Sequence, residues 1–452
     1  GDSLEVPALG PSSLPRELDR EEAQGAYLRL HGPGWSFRGQ ALSRTQGLAT
    51  APFGTTLGDP STRYRNRVLS GDLRLEPTWR DVAFLIRAFG DHNTFGSVLP
   101  FDGVRTPGTS GLFSESDPDR ALGLELQARF PTGPHLYWTL GSERQWHRYD
   151  GWVGDPSGGG VSTRTAYVLG NTYLQGEWNA LESITFILGL QSASWQVQEA
   201  SQDFGAGPIG LPARTLSGTT PRVAFVWRPT ALDILKVLVG QGYRNPTIFE
   251  RFYADGIAIL NNPALRPERI GSTSAVWIRI WGNGLQSQLS ATRSRWQDQV
   301  FTADAGGGAI QARNDPSGLD GTAFEGELQG AWPGWELKAH LGAYRWERQG
   351  RRVDNAAPME AAVRLTRRLE AWSLSGEVRH VGPRSLPGIT APAATTSRLA
   401  LRRDFGATWG RLTVEDLGQA RRRDLVAREY APVQALPGDG RFLRLELGWR
   451  LP

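Results

Sequence analysis

The chain has 452 residues, of which 39% are hydrophobic and 10% aromatic, and its 50 Lys and Arg against 46 Asp and Glu give a net charge of +4. The aromatic content argues against intrinsic disorder, and the small charge imbalance gives no support for nucleic-acid binding. The absence of cysteine excludes disulfides, thiolate metal sites and cysteine nucleophiles, and no stretch approaches the roughly 18 consecutive apolar residues of a membrane-spanning helix.

Apolar and polar residues alternate along most of the chain. Leu122, Leu124 and Leu126, for example, occupy every second position, and Glu125 and Gln127 fall beside them. Successive side chains of a β-strand point to opposite faces, so this period predicts strands with one apolar and one polar face. The same pattern recurs at residues 184–190, 324–332 and 443–449. In a membrane barrel, the set predicted to face lipid is Leu122, Leu124, Leu126, Leu443, Leu445 and Leu447.

The predicted strands are joined by short turns and long loops in alternation, which is the layout of an outer-membrane β-barrel. A soluble sandwich is the alternative, but its strands usually run about 5 to 6 residues, and many runs here last about 10 to 15. The predicted short turns lie at residues 31–34, 77–81, 131–135, 179–183, 229–233, 282–285, 333–334, 369–371 and 406–409. The predicted long loops lie at residues 46–63, 95–117, 150–164, 200–218, 244–269, 302–318 and 421–439.

Tryptophans cluster beside the short turns. Amphipathic indole rings are enriched at membrane interfaces, so the clustering predicts an aromatic girdle at one end of a barrel. For each ring taken alone, filling a protein core is the alternative. The residues concerned are Trp79, Trp178, Trp281, Trp332, Trp335 and Trp409.

These patterns predict an all-β fold, a large antiparallel transmembrane β-barrel with about 19 strands, whereas bacterial single-chain barrels normally have an even number. Residues 1–22 are expected to form an extracellular loop segment, and residues 23–452 the barrel. With an odd count, the first strand, at residues 27–30, and the last, at residues 442–451, run in the same direction. We therefore expect both to pair with backbone outside these 452 residues, because unpaired edges cannot face lipid.

Two neighbouring segments resemble signatures of TonB-dependent outer-membrane receptors. Gly242-Tyr-Arg-Asn-Pro-Thr-Ile-Phe-Glu-Arg-Phe-Tyr253 is similar to that family's G-[FY]-R-x-P-x-x-x-E-[LR]-[FY] motif, and Asn262-Pro-Ala-Leu-Arg-Pro-Glu268 to its N-P-x-L-x-P-E motif. Ala323-Phe-Glu-Gly-Glu327 resembles the G-x-E-x-E strand with Ala for Gly, and Pro437-Gly-Asp-Gly-Arg-Phe442 the P-x-x-G-R entry to the closing strand.

The resemblance implies a receptor and transporter in the outer membrane of a Gram-negative bacterium. Its function would be TonB-energised uptake of a scarce nutrient such as a ferric siderophore or cobalamin. Family members carry a plug domain of about 130 residues before a barrel of about 22 strands. Nothing in this sequence resembles a plug. The plug and about three strands would therefore be supplied in cis or by a separate chain, and TonB would be contacted through that plug.

The segment at residues 243–259 is the candidate for ligand capture at the pore mouth. Its cations and aromatic rings suit anionic, aromatic chelates, and a loop folded on itself is the alternative. The candidate substrate-binding residues are Arg244, Phe249, Arg251, Phe252 and Tyr253. Within the second motif, prolines fix φ and end the loop, so an architectural role is expected and ligand contact is the alternative. Those residues are Asn262, Pro263, Leu265, Pro267 and Glu268.

The sequence gives little support for an enzymatic or metal-binding function. Nucleophile elbows, Walker loops and H-E-x-x-H spacings are absent, and the six histidines show no ligand spacing, so no catalytic residue, cofactor or metal is expected. Glycine-rich stretches at residues 155–160 and 304–308 suit solvated loop tips better than calcium sites. Glu325 and Glu327 share a face that a polar lumen explains.

Two other classes of function stay open. The barrel could be a structural or docking component of a larger envelope complex, with its plug and first strands on another polypeptide. It could also be a passive pore, although an unplugged barrel of that size would leak solutes.

Overall fold

The computed structural model describes residues 20–48, 52–101, 112–155, 159–256, 258–420, 422–426, 435–437 and 440–449. Nineteen long strands run through these residues. They are β1 Glu21–Gly32, β2 Trp35–Gly47, β3 Arg63–Leu75, β4 Val82–Pro100, β5 Leu112–Pro131, β6 Leu136–Asp155, β7 Gly159–Leu181, β8 Ile184–Asp203, β9 Leu216–Trp227, β10 Asp233–Arg244, β11 Glu268–Ile280, β12 Leu285–Gln297, β13 Leu319–Trp332, β14 Trp335–Arg348, β15 Met359–Leu369, β16 Trp372–Val381, β17 Ala394–Phe405, β18 Thr408–Glu415 and β19 Phe442–Trp449.

The strands form one antiparallel sheet in chain order. Each long strand pairs with the next one along the chain. Three segments of two or three residues, Thr78–Trp79, Pro208–Gly210 and Arg351–Arg352, bring the sheet to 22 strands. The prediction of a large antiparallel all-β fold is confirmed. Among the described residues, β1 pairs only with β2 and β19 only with β18, so each keeps one unpaired edge.

The two faces of the sheet differ as the alternation predicts. On the outer face, Leu122, Leu124 and Leu126 are 61%, 41% and 51% exposed. On the inner face of β5 and its neighbours, Arg87 of β4 contacts Asp72 of β3 at 2.7 Å and Glu125 of β5 at 3.5 Å. Along this part of the sheet, the leucines of β5 therefore line the outer face and ion pairs line the inner face. The remaining predicted outer residues, Leu443, Leu445 and Leu447, are also exposed.

All short turns lie at the same end of the strands, which we call the short-turn end. Exposed tryptophans gather there, and arginines stack on several of them, as Arg80 does on Trp79 at 4.8 Å and Arg367 on Trp335 at 4.8 Å. Of the predicted set, Trp79, Trp178, Trp281 and Trp335 are exposed, and Trp332 and Trp409 are half-buried. Further exposed rings at this end are Trp35, Trp227, Trp372 and Trp449.

At the opposite end of the strands, which we call the long-loop end, several strands are longer than predicted. Residues 95–100 and 112–117 were expected in a loop, but they extend β4 and β5, and residues 150–155 and 159–164 extend β6 and β7. The registers Phe95↔Asp117 and Asp150↔Arg164 continue the ladders without a break. Each extended strand finds backbone partners on its neighbours, so its glycines and prolines do not end it.

Small elements fill the long loops. A five-residue helix, α1 (Ile248–Phe252), follows β10. Ile259–Leu260, Gln299–Gly306 and Ala309–Asp315 form a three-stranded sheet, and two hairpins pair Arg384–Leu386 with Ile389–Ala391 and Arg423–Leu425 with Ala435–Pro437. Within the described ranges, no helix is long and apolar enough to cross a membrane.

Several sequence predictions fall partly outside the described residues. The predicted loop at residues 1–22 does so except at its end, where Glu21 and Glu22 already belong to β1. The glycine-rich stretch at 155–160 and the motif at 437–442 are also only partly described. At the other glycine-rich stretch, Asp304 Oδ1 accepts a hydrogen bond from Gly306 N at 2.7 Å, which closes a local turn.

Candidate functional site at the long-loop end

The loop between β10 and β11 is closed at its base by ion pairs. Arg244 Nη2 lies 2.6 Å from Glu268 Oε1, and its Nη1 lies 3.0 Å from Glu250 Oε2. The two carboxylates raise the pKa of Arg244 above its ordinary value. Burial acts to raise the pKa of Glu268, but the hydrogen bonds from Arg244 and from Val300 N outweigh it and the pKa is lowered. The guanidinium of Arg244 is therefore already neutralised by this chain.

Helix α1 begins at a capping box. Thr247 Oγ1 accepts a hydrogen bond from Glu250 N at 3.2 Å, and Glu250 Oε2 accepts one from Thr247 N at 2.6 Å. Two free donors at the helix start are thereby satisfied. Because Glu250 also holds Arg244, the helix is tied to the end of β10.

The side chain of Arg251, a residue of helix α1, is fully buried. Its guanidinium lies 4.8 Å from the ring centroid of Trp195 and 4.7 Å from that of Phe252, and its Nη2 donates to Pro263 O at 2.9 Å. Burial, with a smaller effect of nearby Arg214, lowers the pKa of Arg251 to about 10. The side chain holds the loop to the inner face of β8.

Phe252 is also fully buried, in a cluster with Trp195, Ala200 and Leu216. Its carbonyl oxygen accepts a hydrogen bond from Gln202 Nε2 at 2.7 Å. Gln202 in turn accepts one from Asn261 Nδ2, so a single inner-face glutamine binds both ends of the loop segment.

Tyr253 and Phe249 mark the boundary between the buried and exposed parts of the loop. Tyr253 is 6% exposed and packs on Val153 and Val161 of β6 and β7. Phe249 stacks on Tyr253 at 4.6 Å between centroids and is 55% exposed.

Tyr253 reaches a pair of inner-face carboxyl groups that sequence analysis did not single out. Glu115 and Asp117 hydrogen-bond each other, and Glu115 also bonds Tyr253. Tyr149 Oη donates to Asp117 Oδ1 at 2.6 Å, and Ser97 Oγ donates to Glu115 Oε2 at 3.1 Å.

Burial and the adjacent Asp117 raise the pKa of Glu115 to about 8, and burial raises that of Asp117. Both groups lie beyond the apolar band of the outer face, which on β5 ends at Leu122 and gives way to Arg120. At neutral pH the pair therefore retains a proton. The protonated carboxyl group can donate a hydrogen bond to the other one. The alternation of Glu115, Asp117 and Asp119 was the available sequence signal, but Glu115 and Asp117 fell in the predicted loop at residues 95–117.

The Asn-Pro to Pro-Glu element makes architectural contacts. Asn262 Nδ2 donates to Ala312 O at 2.8 Å and Asn262 Oδ1 accepts from Ala264 N at 3.2 Å, so the side chain joins the loop to the three-stranded sheet. Leu265 is 1% exposed. Pro263 supplies the carbonyl bound by Arg251, and Pro267 precedes Glu268, the first residue of β11.

All ten candidate residues lie in the loop between β10 and β11 or at the two strand ends that flank it, and few of them are accessible. Arg251, Phe252 and Tyr253 are buried, whereas Arg244 and Phe249 are exposed. The burial has a physical reason, since the wall of β6–β8 offers an aromatic and amide surface that a sequence pattern does not reveal. Some contacts lie within the loop, such as that of Phe249 with Tyr253, and others join the loop to the wall; ligand contact by these residues stays a prediction.

The inner face remains polar around the rest of the sheet. Glu325 accepts a hydrogen bond from Tyr344 Oη at 3.1 Å, and Arg368 lies 2.9 Å from Glu336. A groove of about 320 Å³ on β14–β19 is lined mainly by charged side chains, including Glu336, Arg364, Arg398 and Glu446. Such a surface suits water or a polar occupant.

Comparisons with known proteins agree with this architecture. No curated protein sequence matches. Among solved structures, the chain is similar to the ferric yersiniabactin uptake receptor FyuA from Yersinia pestis (TM-score 0.74, 15% identity, 99% of this chain and 73% of that one). It is also similar to the copper transporter OprC (0.75, 14%, 100% and 74%) and to BauA, the ferric preacinetobactin receptor from Acinetobacter baumannii (0.68, 12%, 94% and 71%).

These likenesses establish the shared fold. The family model "TonB dependent receptor-like, beta-barrel" matches residues 17–449, nearly the whole chain. With its apolar outer face, polar inner face and alternating short and long connections, the chain belongs to the TonB-dependent receptor-like β-barrel family of Gram-negative outer-membrane proteins.

Proposed function

We propose that this barrel forms the wall of a transporter that takes up a scarce, chelated nutrient across the outer membrane with energy delivered through TonB. The observation that carries the proposal is the pairing of an ionic inner face with an apolar outer face in a member of this family. Similar structures are named for ferric yersiniabactin, ferric preacinetobactin and copper, which supports a metal chelate as the ligand class; a ferric siderophore or cobalamin fits it. The barrel performs no covalent chemistry in this scheme.

Within the site, we assign ligand contact first to Phe249. It is the exposed aromatic residue of the loop, and its ring is fixed by stacking on Tyr253. Arg244 is exposed beside it, but a ligand carboxylate would have to compete with Glu250 and Glu268 for its guanidinium. Arg251, Phe252 and Tyr253 act in the proposal by holding the loop in place. A plug, supplied in cis or by another chain, would transmit the action of TonB.

Uptake by cells tests this function. Cells carrying or lacking the gene are supplied with iron-55 on catecholate, hydroxamate and mixed siderophores, and separately with cobalt-57 cobalamin. We expect one probe to accumulate only with the gene present and TonB functional. Equal accumulation of every probe with and without the gene would contradict the proposal, and accumulation that needs the gene but not TonB would indicate a passive pore.

The second candidate function is a docking barrel in a larger envelope complex. The specific observation in its favour is the unpaired edge on each of β1 and β19 among the described residues, which offers backbone groups to another polypeptide. Crosslinking in intact outer membranes distinguishes the two functions. A stable protein neighbour at the long-loop end, together with no change in uptake on deletion, would favour docking.

A further inference from the structure

Three consecutive outer-face positions of β3 carry arginine. On this strand, Leu75, Leu73 and Leu69 are exposed on the apolar face, and the residues that continue the same face toward the long-loop end are Arg67, Arg65 and Arg63. All three arginines are exposed. Alternate residues of a strand lie about 7 Å apart, so the guanidinium groups form a column that begins where the apolar band ends.

The arginine column has no acidic neighbour across its ladders. Arg67 lies opposite Ser43 on β2 and Thr94 on β4, and Arg65 lies opposite Thr45 and Gly96. Among the described residues, neither Arg63, Arg65 nor Arg67 makes an ion pair. Most arginines of the inner face do pair with carboxylates, as Arg87 does with Asp72, so the column carries uncompensated positive charge.

A fourth arginine extends the basic surface sideways. Arg120 of β5 is exposed on the same face, opposite His92 of β4, which is itself opposite Leu69 of β3. Adjacent strands lie about 4.8 Å apart and alternate residues about 7 Å apart, so Arg120 is about 10 Å from Leu69 and about 12 Å from Arg67. A ligand of lipid-headgroup size can therefore reach both arginines. Other arginines bind the acidic residues that flank this surface. Asp150, beyond Arg120, pairs with Arg148 and Arg164, and Glu22, two strands from Arg65 on the other side, pairs with Arg20.

We propose that Arg63, Arg65, Arg67 and Arg120 bind the phosphate groups of a phosphorylated glycolipid of the outer leaflet, whose acyl chains lie along the apolar face below. The occupant is set by the position of the charges. They continue a lipid-facing surface directly, and the planar guanidinium group matches the geometry of phosphate oxygens. A soluble phosphate would gain nothing from the adjoining leucines, whereas an acylated one buries its chains against them.

A second arginine pair on the outer face provides a matched control. Arg293 and Arg295 of β12 are exposed and lie as far from the start of their strand at Leu285 as Arg67 and Arg65 lie from Leu75. Arg295, however, has the carboxylate residue Asp320 directly opposite it on β13, whereas the residues opposite Arg67 and Arg65 are uncharged. The two pairs share residue type, spacing and height, and they differ in the acidic residue that lies opposite Arg295.

The test measures binding of bis-phosphorylated lipid A to the full protein, extracted from outer membranes in mild detergent, by native mass spectrometry. The same lipid after phosphatase treatment is the comparison, and inorganic pyrophosphate is the soluble competitor. We expect dephosphorylation to weaken binding about tenfold or more, since it removes the charge-assisted bonds. Pyrophosphate at the same concentration as the lipid should displace little of it.

Two sets of variants test which arginines form the binding site. We expect R63Q/R65Q/R67Q to lose about tenfold in lipid A affinity and R293Q/R295Q to lose less than about threefold. Heat-modifiable gel mobility shows that each variant is folded, and R65Q alone replaces the triple variant if that fails. Equal binding of the two lipids by the unmodified protein would overturn the proposal, as would full displacement by pyrophosphate or equal losses in the two sets of variants.

Discussion

Arg244 and Glu268 lie directly opposite each other on β10 and β11, and their side chains meet at 2.6 Å where the two strands leave the sheet. The ion pair closes the base of the loop whose helix bears the exposed Phe249. Because Arg251, Gln202 and the Glu115–Asp117 pair fix the same loop from the inner side, its position is set by contacts whose removal can be tested one at a time.

Replacement of Arg251 by alanine should release the loop. The substitution removes the hydrogen bond to Pro263 O and the contact with Trp195, at a cost of about 2 kcal/mol for a charged donor. This cost corresponds to roughly thirtyfold faster amide exchange in the loop. Hydrogen exchange of residues 245–265 measures it. The control is Arg266→Ala, whose exposed ion pair with Asp298 is worth little. Equal exchange in both variants would show that Arg251 does not hold the loop.

An arginine in place of Leu124 should hinder assembly in the membrane. On β5 the outer face is apolar at this height, and a charge near the bilayer midplane costs about 2 to 4 kcal/mol. The exposed Arg144 of β6 lies directly opposite Leu124, so a new arginine would also face a like charge. The measurement is the heat-modifiable fraction of protein in outer membranes. Gln127→Arg on the inner face of the same strand should assemble normally, because Glu125, which accepts from the same Tyr173 hydroxyl as Gln127, can offset the new charge. Normal folding of the Leu124 variant would contradict the assignment of faces.

The loop should be held less tightly at alkaline pH. Folding raises the pKa of Glu115 from 4.5 to about 8, so the folded state binds more protons than the unfolded state between these values, and stability falls as pH rises through them. We expect exchange around Tyr253, corrected for intrinsic rates, to be faster at pH 9 than at pH 6. Glu115→Gln stays neutral at both pH values and should lose most of this difference. A pH effect that persists unchanged in the variant would assign it to another group.

The edges of β1 and β19 should not join each other directly. Cysteines at Leu30 and Leu447, both two residues from the short-turn end of their strands, test this in a chain without native cysteine. A disulfide needs Cα atoms within about 7 Å, so we expect none to form under oxidation. The control pair, Leu30→Cys with Phe37→Cys, lies in register on β1 and β2 and should crosslink. An efficient Leu30–Leu447 crosslink would mean that the barrel closes on its own.

Local sequence determined most of the sheet, because strand periodicity and turn chemistry act over a few residues. The alternation at Leu122 to Leu126 predicted the outer face, and the short turns were predicted where the structure has them. The strand ends were predicted less well. Residues 112–117 include two serines and two acidic residues, a composition typical of a loop, yet pairing with β4 and β6 keeps them extended.

The site was predictable in composition but not in exposure. The sequence alone singled out the segment with Arg244, Phe249 and Arg251, because its motif and its aromatic content are local. Only tertiary structure decided that Arg251 is buried against Trp195, 56 positions earlier in the chain, and that Glu115 meets Tyr253 across the inner face. Those contacts depend on which strands become neighbours and in which register, and that is fixed by the whole sheet rather than by any one segment.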